Sequence, residues 1–101
     1  MMTAEEVVEL LVERGVEWEV SNSGRIRTKE GRCPICAAGY IVTGINLGYE
    51  SFSIARDRLA MPYMDGEVLA SSADNTFHHS TEEAKGRCRM LRNRLLGRTE
   101  S

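Results

Sequence analysis

The stretch GRIRTKEGRCPICAAGYIVTG, residues 24–44, decides how this chain is read. Arg25, Ile26, Arg27 and Thr28 alternate polar and apolar, the pattern of a half-buried strand. Lys29, Glu30, Gly31 and Arg32 form a turn, and Cys33-Pro34 then opens a helix. Proline suits the first helical turn because its missing N–H has no partner to lose there and its φ is already helical. Ile35, Ala38, Ile41 and Val42 give that helix an apolar face, and Gly44 stops it. Cys33 and Cys36 therefore sit at a helix N-terminus, where free N–H groups favour anions and thiolates.

Upstream, Thr3-Ala4-Glu5-Glu6 fits a capping box. Val7, Val8, Leu11 and Val12 continue as a helical stripe, and Gly15 is a natural stop. Val16, Trp18 and Val20 recur with period two, so a strand is expected over residues 16–20. Ser21-Asn22-Ser23-Gly24 is turn chemistry that joins it to Arg25–Thr28 as a β-hairpin. An isolated hairpin is marginal, so its Trp18 and Ile26 face must lie on a helix or on another subunit.

Downstream, Ile45–Gly48 reads as a connector, and a helix is expected from about Ser51, with Phe52, Ala55 and Leu59 inward and an end before Pro62. Asp65 is placed as the cap of a short helix carrying Val68, Leu69, Ser72 and Ala73. Asp74–His79 is a polar loop. Ser80-Thr81-Glu82-Glu83 reads as a second capping box, opening a last helix with Ala84, Cys88, Leu91 and Leu95 inward and Gly97 at its end. The expected fold is α+β and mostly helical, one two-stranded hairpin packed on about five short helices. Residues 1–98 form a single domain and 99–101 a frayed tail.

With 101 residues, 42% hydrophobic and 28% charged, the composition is that of one globular domain with a modest core. No apolar run is long enough to cross a bilayer and the N-terminus is acidic, so neither a membrane anchor nor a secretion signal is read. Three cysteines make no disulfide framework. The expected location is a bacterial cytoplasm. The net charge of −2 gives no general affinity for nucleic acid. It hides an asymmetry: Glu5, Glu6, Glu9, Glu13, Glu17 and Glu19 face only Arg14 in the N-terminal region, whereas Lys85, Arg87, Arg89, Arg92, Arg94 and Arg98 are unopposed in the last helix. These two segments are expected to neutralise each other, within a subunit or across a dimer. The alternative is an anionic partner such as DNA, against which stand the acidic N-terminus and the lack of a helix-turn-helix pattern.

Cys33 and Cys36 have the spacing of half a zinc site, with His78, His79 and Cys88 as scattered further donors. No metal and no cofactor is assigned, and no catalytic constellation or phosphate loop is legible. Strand, loop, Cys-Pro-Ile-Cys and helix together also resemble the active-site segment of glutaredoxins, with Met61-Pro62 and Asp65-Gly66 as later echoes. That resemblance implies a thiol-disulfide oxidoreductase with Cys33 as its low-pKa thiol. Only 25 residues separate Cys36 from Pro62, too few for the crossover to a second parallel strand. The expectation from the residues is that Cys33 caps the helix and Cys36 packs.

Over roughly residues 24–96, the order Gly24-x-Ile26-Arg27, Cys33-Pro34-Ile35, Val68-Leu69-Ala70-Ser71-Ser72-Ala73-Asp74 and an arginine-rich last helix resembles a group of small phage and prophage accessory proteins. The resemblance implies an anti-defence role: a non-enzymatic protein that sequesters a small anionic, nucleotide-type immune signal, or one that inhibits a host defence protein by direct contact. In that light Arg25, Arg27, Asp74, Asn75, His78 and His79 are the ligand-binding candidates, with Trp18 available for stacking. Arginine matches phosphate through its planar fork. A homo-oligomer would bring two such sets together.

Overall fold

A computed structural model describes residues 1–45 and 52–98, the side chain of Phe52 excepted. Its elements are α1 (Ala4–Glu13), β1 (Glu19–Val20), β2 (Ile26–Arg27), α2 (Pro34–Thr43), α3 (Phe52–Arg58), α4 (Tyr63–Ala73) and α5 (Glu82–Leu95). The architecture is the expected one, five helices and one antiparallel hairpin among the described residues. The connector at residues 46–48, the helix start at Ser51 and the tail at 99–101 lie outside the described residues.

Helix α1 begins with the expected capping box: Glu6 N–H donates to Thr3 Oγ1 at 3.1 Å, and Thr3 N–H donates to Glu6 Oε1 at 3.0 Å. Ala4, Val7, Val8 and Leu11 are its buried face. At its end Gly15 takes φ +69°, Gly15 N–H bonds Val12 O, and Val16 N–H bonds Leu11 O at 3.1 Å. This pair of bonds is a Schellman motif. It also explains why the hairpin is shorter than expected. Val16 is tied back onto α1 and cannot pair as a strand residue, so β1 holds only Glu19 and Val20, opposite Arg27 and Ile26. Val20 is exposed, Val16 and Trp18 are half-buried against the core, and Ile26 is the hairpin residue sealed inside it.

Helix α2 runs between α1, α3 and α4. Its buried residues are Pro34, Ile35, Ala37, Ala38 and Gly39, not the full Ile35–Val42 face expected from periodicity. Ile41 is half-buried and Val42 exposed, because only the first two turns lie in the core, where small side chains let the neighbouring helices approach. Ala55 and Leu59 of the α3 segment are buried as expected, joined by Met61.

Helix α4 corrects the expected cap. The helix starts at Tyr63 behind Pro62, and Asp65 lies in its first turn. The Asp65 carboxylate instead reaches another helix: its Oδ2 accepts from Ala4 N–H at 2.8 Å and from Arg87 Nη2 at 2.8 Å. Arg87 of α5 also grips Glu5 with Nε and Nη2 at 2.6 and 2.7 Å. Arg94 meets Glu9 in the same fork-to-fork fashion. The acidic N-terminal helix and the basic C-terminal helix thus neutralise each other within one chain. Arg87 holds the Glu5 carboxyl below its ordinary value, against the opposing effect of burial. The α5 cap is Thr81, whose Oγ1 accepts from Ala84 N–H at 3.1 Å. With Ala84 at the third helical position, the reciprocal box expected from Ser80 and Glu83 does not form. Cys88, Leu91 and Leu95 are buried as expected, and Ala84 is half-buried.

Helix α3 ends in the same paired-bond motif as α1 and α4 in its longer bond, both without glycine. Met61 N–H bonds Arg56 O and Ala60 N–H bonds Asp57 O, with exposed Ala60 at φ +52°; Thr76 N–H bonds Ser71 O, with Asn75 at φ +56°. An L-residue in the left-handed region costs about 1–2 kcal/mol, and asparagine tolerates it better than alanine. Ala60→Gly is therefore expected to stabilise the fold by about 0.5–1 kcal/mol, the relief of strain exceeding the added freedom of the unfolded chain. Urea denaturation measures it, and an unchanged or lowered midpoint would contradict it.

Candidate functional site

The hairpin reaches the helical body at the C-terminal end of α4. Ser21 N–H bonds Arg25 O at 2.9 Å and Gly24 N–H bonds Ser21 O at 2.9 Å, closing the turn. Gly24 stands at φ +86°, and a Cβ there would fall 2.9 Å from Asn75 Nδ2. Only glycine meets both demands. Its carbonyl accepts from Arg92 Nη2 at 2.6 Å, while Arg92 Nη1 donates to Ser72 O at 2.8 Å. Arg92 is 7% exposed, so this arginine is a buried strut and not part of a solvated basic row. Its spacing with Cys88, Leu91 and Leu95 carried the signal: a residue one past Leu91 and four past Cys88 faces inward.

This strut fixes the corner at which four of the expected ligand residues meet. Arg27 Nη1 lies 3.0 Å and Arg25 Nε 3.6 Å from Asp74 Oδ1. Asn75 follows Asp74 and packs on Gly24. Asp74 Oδ1 is shielded from solvent and, despite its contact with Arg27, has no partner in hydrogen-bonding alignment among the described residues. Arg27 directs its one aligned bond to Ile26 O at 2.7 Å. Burial lowers the pKa of Arg92, the positive charge of Arg98 adds to that, and Asp74 opposes it. Asp74 is therefore one carboxylate between the guanidiniums of Arg25 and Arg27. Arg25 and Arg27 face a recess of about 260 Å³ shared with Glu19, Val20 and Ser21.

The other three candidates lie elsewhere. Trp18 lines a different recess, of about 430 Å³, with Val16, Glu17, Leu95, Leu96 and Gly97. The expected stacking role at the arginines is not supported by this placement. His79 Nε2 is 3.1 Å from Ser71 Oγ, which pins the 74–79 loop to α4. His78 is exposed, and Phe77 just before it packs on the core beneath Arg89.

Arg27 has a second neighbourhood, the start of α2. Thr28 Oγ1 accepts from Arg32 N–H at 3.0 Å and Thr28 N–H bonds Arg32 O, folding the turn so that α2 starts beside β2. Cys33 occupies the N-cap position with extended backbone, φ −72° and ψ 166°; its sulfur faces the first amides of α2 without a capping bond in good alignment. The Cys36 thiol donates to that sulfur, and this contact chiefly lowers Cys33 to about 6; burial opposes the shift, and the Cys36 and Ile35 amides and the Arg27 charge add to it. Cys36 is pushed upward, first by donating to Cys33, then by burial and by the Cys33 charge. Both sulfurs are half-buried, whereas Cys88 lies inside the core, its thiol 3.5 Å from Val68 O. Among the described residues no three His, Cys, Asp or Glu side chains converge as a metal would require.

No family model matches the chain, and no curated protein or solved structure matches it. No helix among the described residues is long and apolar enough to cross a membrane.

Because Arg92 ties hairpin to helix, Arg92→Met is expected to cost about 2–4 kcal/mol by leaving the Gly24 and Ser72 carbonyls without donors. Thermal or urea denaturation checks this, and a cost below about 0.5 kcal/mol would contradict the strut.

Proposed function

We propose that this protein binds and sequesters a small anionic ligand of nucleotide type at the corner of β2 and the α4 C-terminus, without cleaving it. The observation that carries the reading is the convergence of Arg25 and Arg27 on the Asp74 carboxylate at the edge of an open recess. Arg25 is the most exposed of the set, with 58% of its side chain accessible, and its contact with Asp74 is long. A phosphate entering the recess displaces little to engage it, and a guanidinium–phosphate pair is stronger than this loose ion pair. Arg27 and Asp74 then frame the ligand, and Asn75 offers an amide for a base or ribose edge. His78 lies exposed on the following loop. Glu19 at the recess edge sets a limit, favouring a ligand whose phosphates sit toward Arg25 and whose uncharged part lies over Val20.

The phage resemblance gives this chemistry a setting: an anti-defence sponge for a nucleotide immune signal in the cytoplasm of a bacterial host. Self-association belongs to the same proposal. Tyr40, Val42 and Ile54 are exposed apolar residues on α2 and α3 that a second copy would cover. Inhibition of a host protein by direct contact is the rival outcome.

The test is a calorimetric titration of inorganic phosphate and of mono-, di- and cyclic nucleotides. Protein isolated from defence-active cells is also heated, and what it releases is identified by mass spectrometry. At least one nucleotide is expected to bind more tightly than phosphate, and Arg25→Ala, at an exposed site where folding is safe, is expected to weaken it about tenfold. Absence of any binding or released ligand, or affinity indifferent to Arg25→Ala, would overturn the proposal. A stable host-protein complex in that case would establish direct contact instead.

A further inference from the structure

Helices α1 and α5 are tied by two forks, Arg87 to Glu5 and Arg94 to Glu9. Between those forks in sequence fall Val8 on α1 and Met90 and Leu91 on α5, and these line a groove of about 350 Å³. Val8 and Leu91 belong to the core and close its floor, whereas Met90 is 40% exposed. The groove shares no lining residue with the recess at Arg25 and Arg27. Its volume suits a small ligand, and its floor is apolar, as ligand sites mostly are.

Four charged side chains border this floor, and three of them are already committed. Both oxygens of Glu5 are taken by Arg87. Arg94 spends Nε and Nη2 on the two oxygens of Glu9, and these bonds chiefly hold the Glu9 carboxyl below its ordinary value, so it stays ionised at neutral pH. Arg98, just past the turn at Gly97, is the fourth. It is exposed, and its guanidinium has no ion-pair partner among the described residues. Its charge acts instead on Arg92, another cation, adding to the effect of burial there. An open guanidinium fork therefore stands at the edge of an apolar groove.

We propose that this groove binds a small amphiphilic carboxylate, with its one negative charge on Arg98 and its hydrocarbon body over Met90, Leu91 and Val8. The lining selects that chemistry. Hydrocarbon placed over this floor leaves water, and each buried methylene adds to affinity. A carboxylate matches the planar fork of arginine with two parallel hydrogen bonds. A phosphate monoester carries nearly two charges at neutral pH, and ionised Glu5 and Glu9 on the same groove oppose the second. A cation on the same tail would be repelled by Arg98 and would have to compete with Arg94 for Glu9. The site lies apart from the nucleotide corner, and neither reading depends on the other.

Carbon-13 labelling of the methionine methyl groups, with Met90→Leu to identify the Met90 signal, lets NMR follow the groove in the intact protein. Octanoate is expected to shift the Met90 signal saturably, with a Kd of about 0.1–1 mM. Acetate has the head group without the tail and is expected to leave Met90 unchanged over the same range. Octanol and octyl phosphate are expected to bind at least about fivefold more weakly than octanoate. Arg98→Gln, at an exposed position beyond the last helix, is expected to weaken octanoate about tenfold, and Arg25→Ala to leave it unchanged. An unmoved Met90 signal at about 10 mM octanoate would overturn the proposal. So would octanol or octyl phosphate binding as tightly as octanoate, or affinity indifferent to Arg98→Gln. A Met90 shift that grows with protein concentration in the absence of octanoate would assign the groove to a second copy of the chain and overturn it as well.

Discussion

The Arg87 guanidinium is the contact on which the rest of the structure depends. One side chain on α5 holds Glu5 on α1 with two bonds and Asp65 on α4 with a third. Asp65 in turn accepts the first free N–H of α1, so a carboxylate on α4 caps a helix that begins at the other end of the sequence. Apolar burial drives these helices together, but burial is not directional and leaves their register open. The fork geometry of a guanidinium between two carboxylates sets that register, because small displacements break several bonds at once. Asp65 is mostly shielded, with 13% of its side chain accessible, so removing its partner would leave a poorly hydrated charge.

A second arginine repeats the device at the other end of α5. Arg92 spans from the backbone of α4 to the carbonyl of Gly24, anchoring a hairpin of two paired residues per strand that could not stand alone. Once Gly24 is held, Ile26 enters the core and Arg27 emerges between Asp74 and the start of α2. Arg27 thus has two neighbourhoods. Its charge is shared between a carboxylate on one side and a thiolate-prone cysteine on the other.

What was legible in the sequence was local. The α1 capping box, the stop at Gly15, the helix opening at Cys33-Pro34 and the Cys88–Leu91–Leu95 stripe all rest on contacts within a few residues. The convergence of Arg25 and Arg27 with Asp74 and Asn75 was anticipated only as a set of residues, not as a geometry. What failed was non-local or competitive. Asp65 looks like a cap for its own helix, and only the fold reveals that a more distant N–H claims it. Val16 has strand-like alternation, but the α1 terminus takes its N–H first. Trp18 reads in sequence as available for stacking near the arginines, and it turns instead toward the end of α5. Arg92 was hidden by its charge: a basic residue in a basic run reads as solvated, although its helical position points inward.

The coupling between Asp65 and Arg87 is measured most directly by a double-mutant cycle with Asp65→Asn and Arg87→Met, read by urea denaturation. A register-setting contact predicts that each single change costs about 1–3 kcal/mol and that the double mutant costs less than their sum by about 1 kcal/mol or more. Strictly additive losses, or single changes of a few tenths of a kcal/mol, would mean that the helices find their register without it.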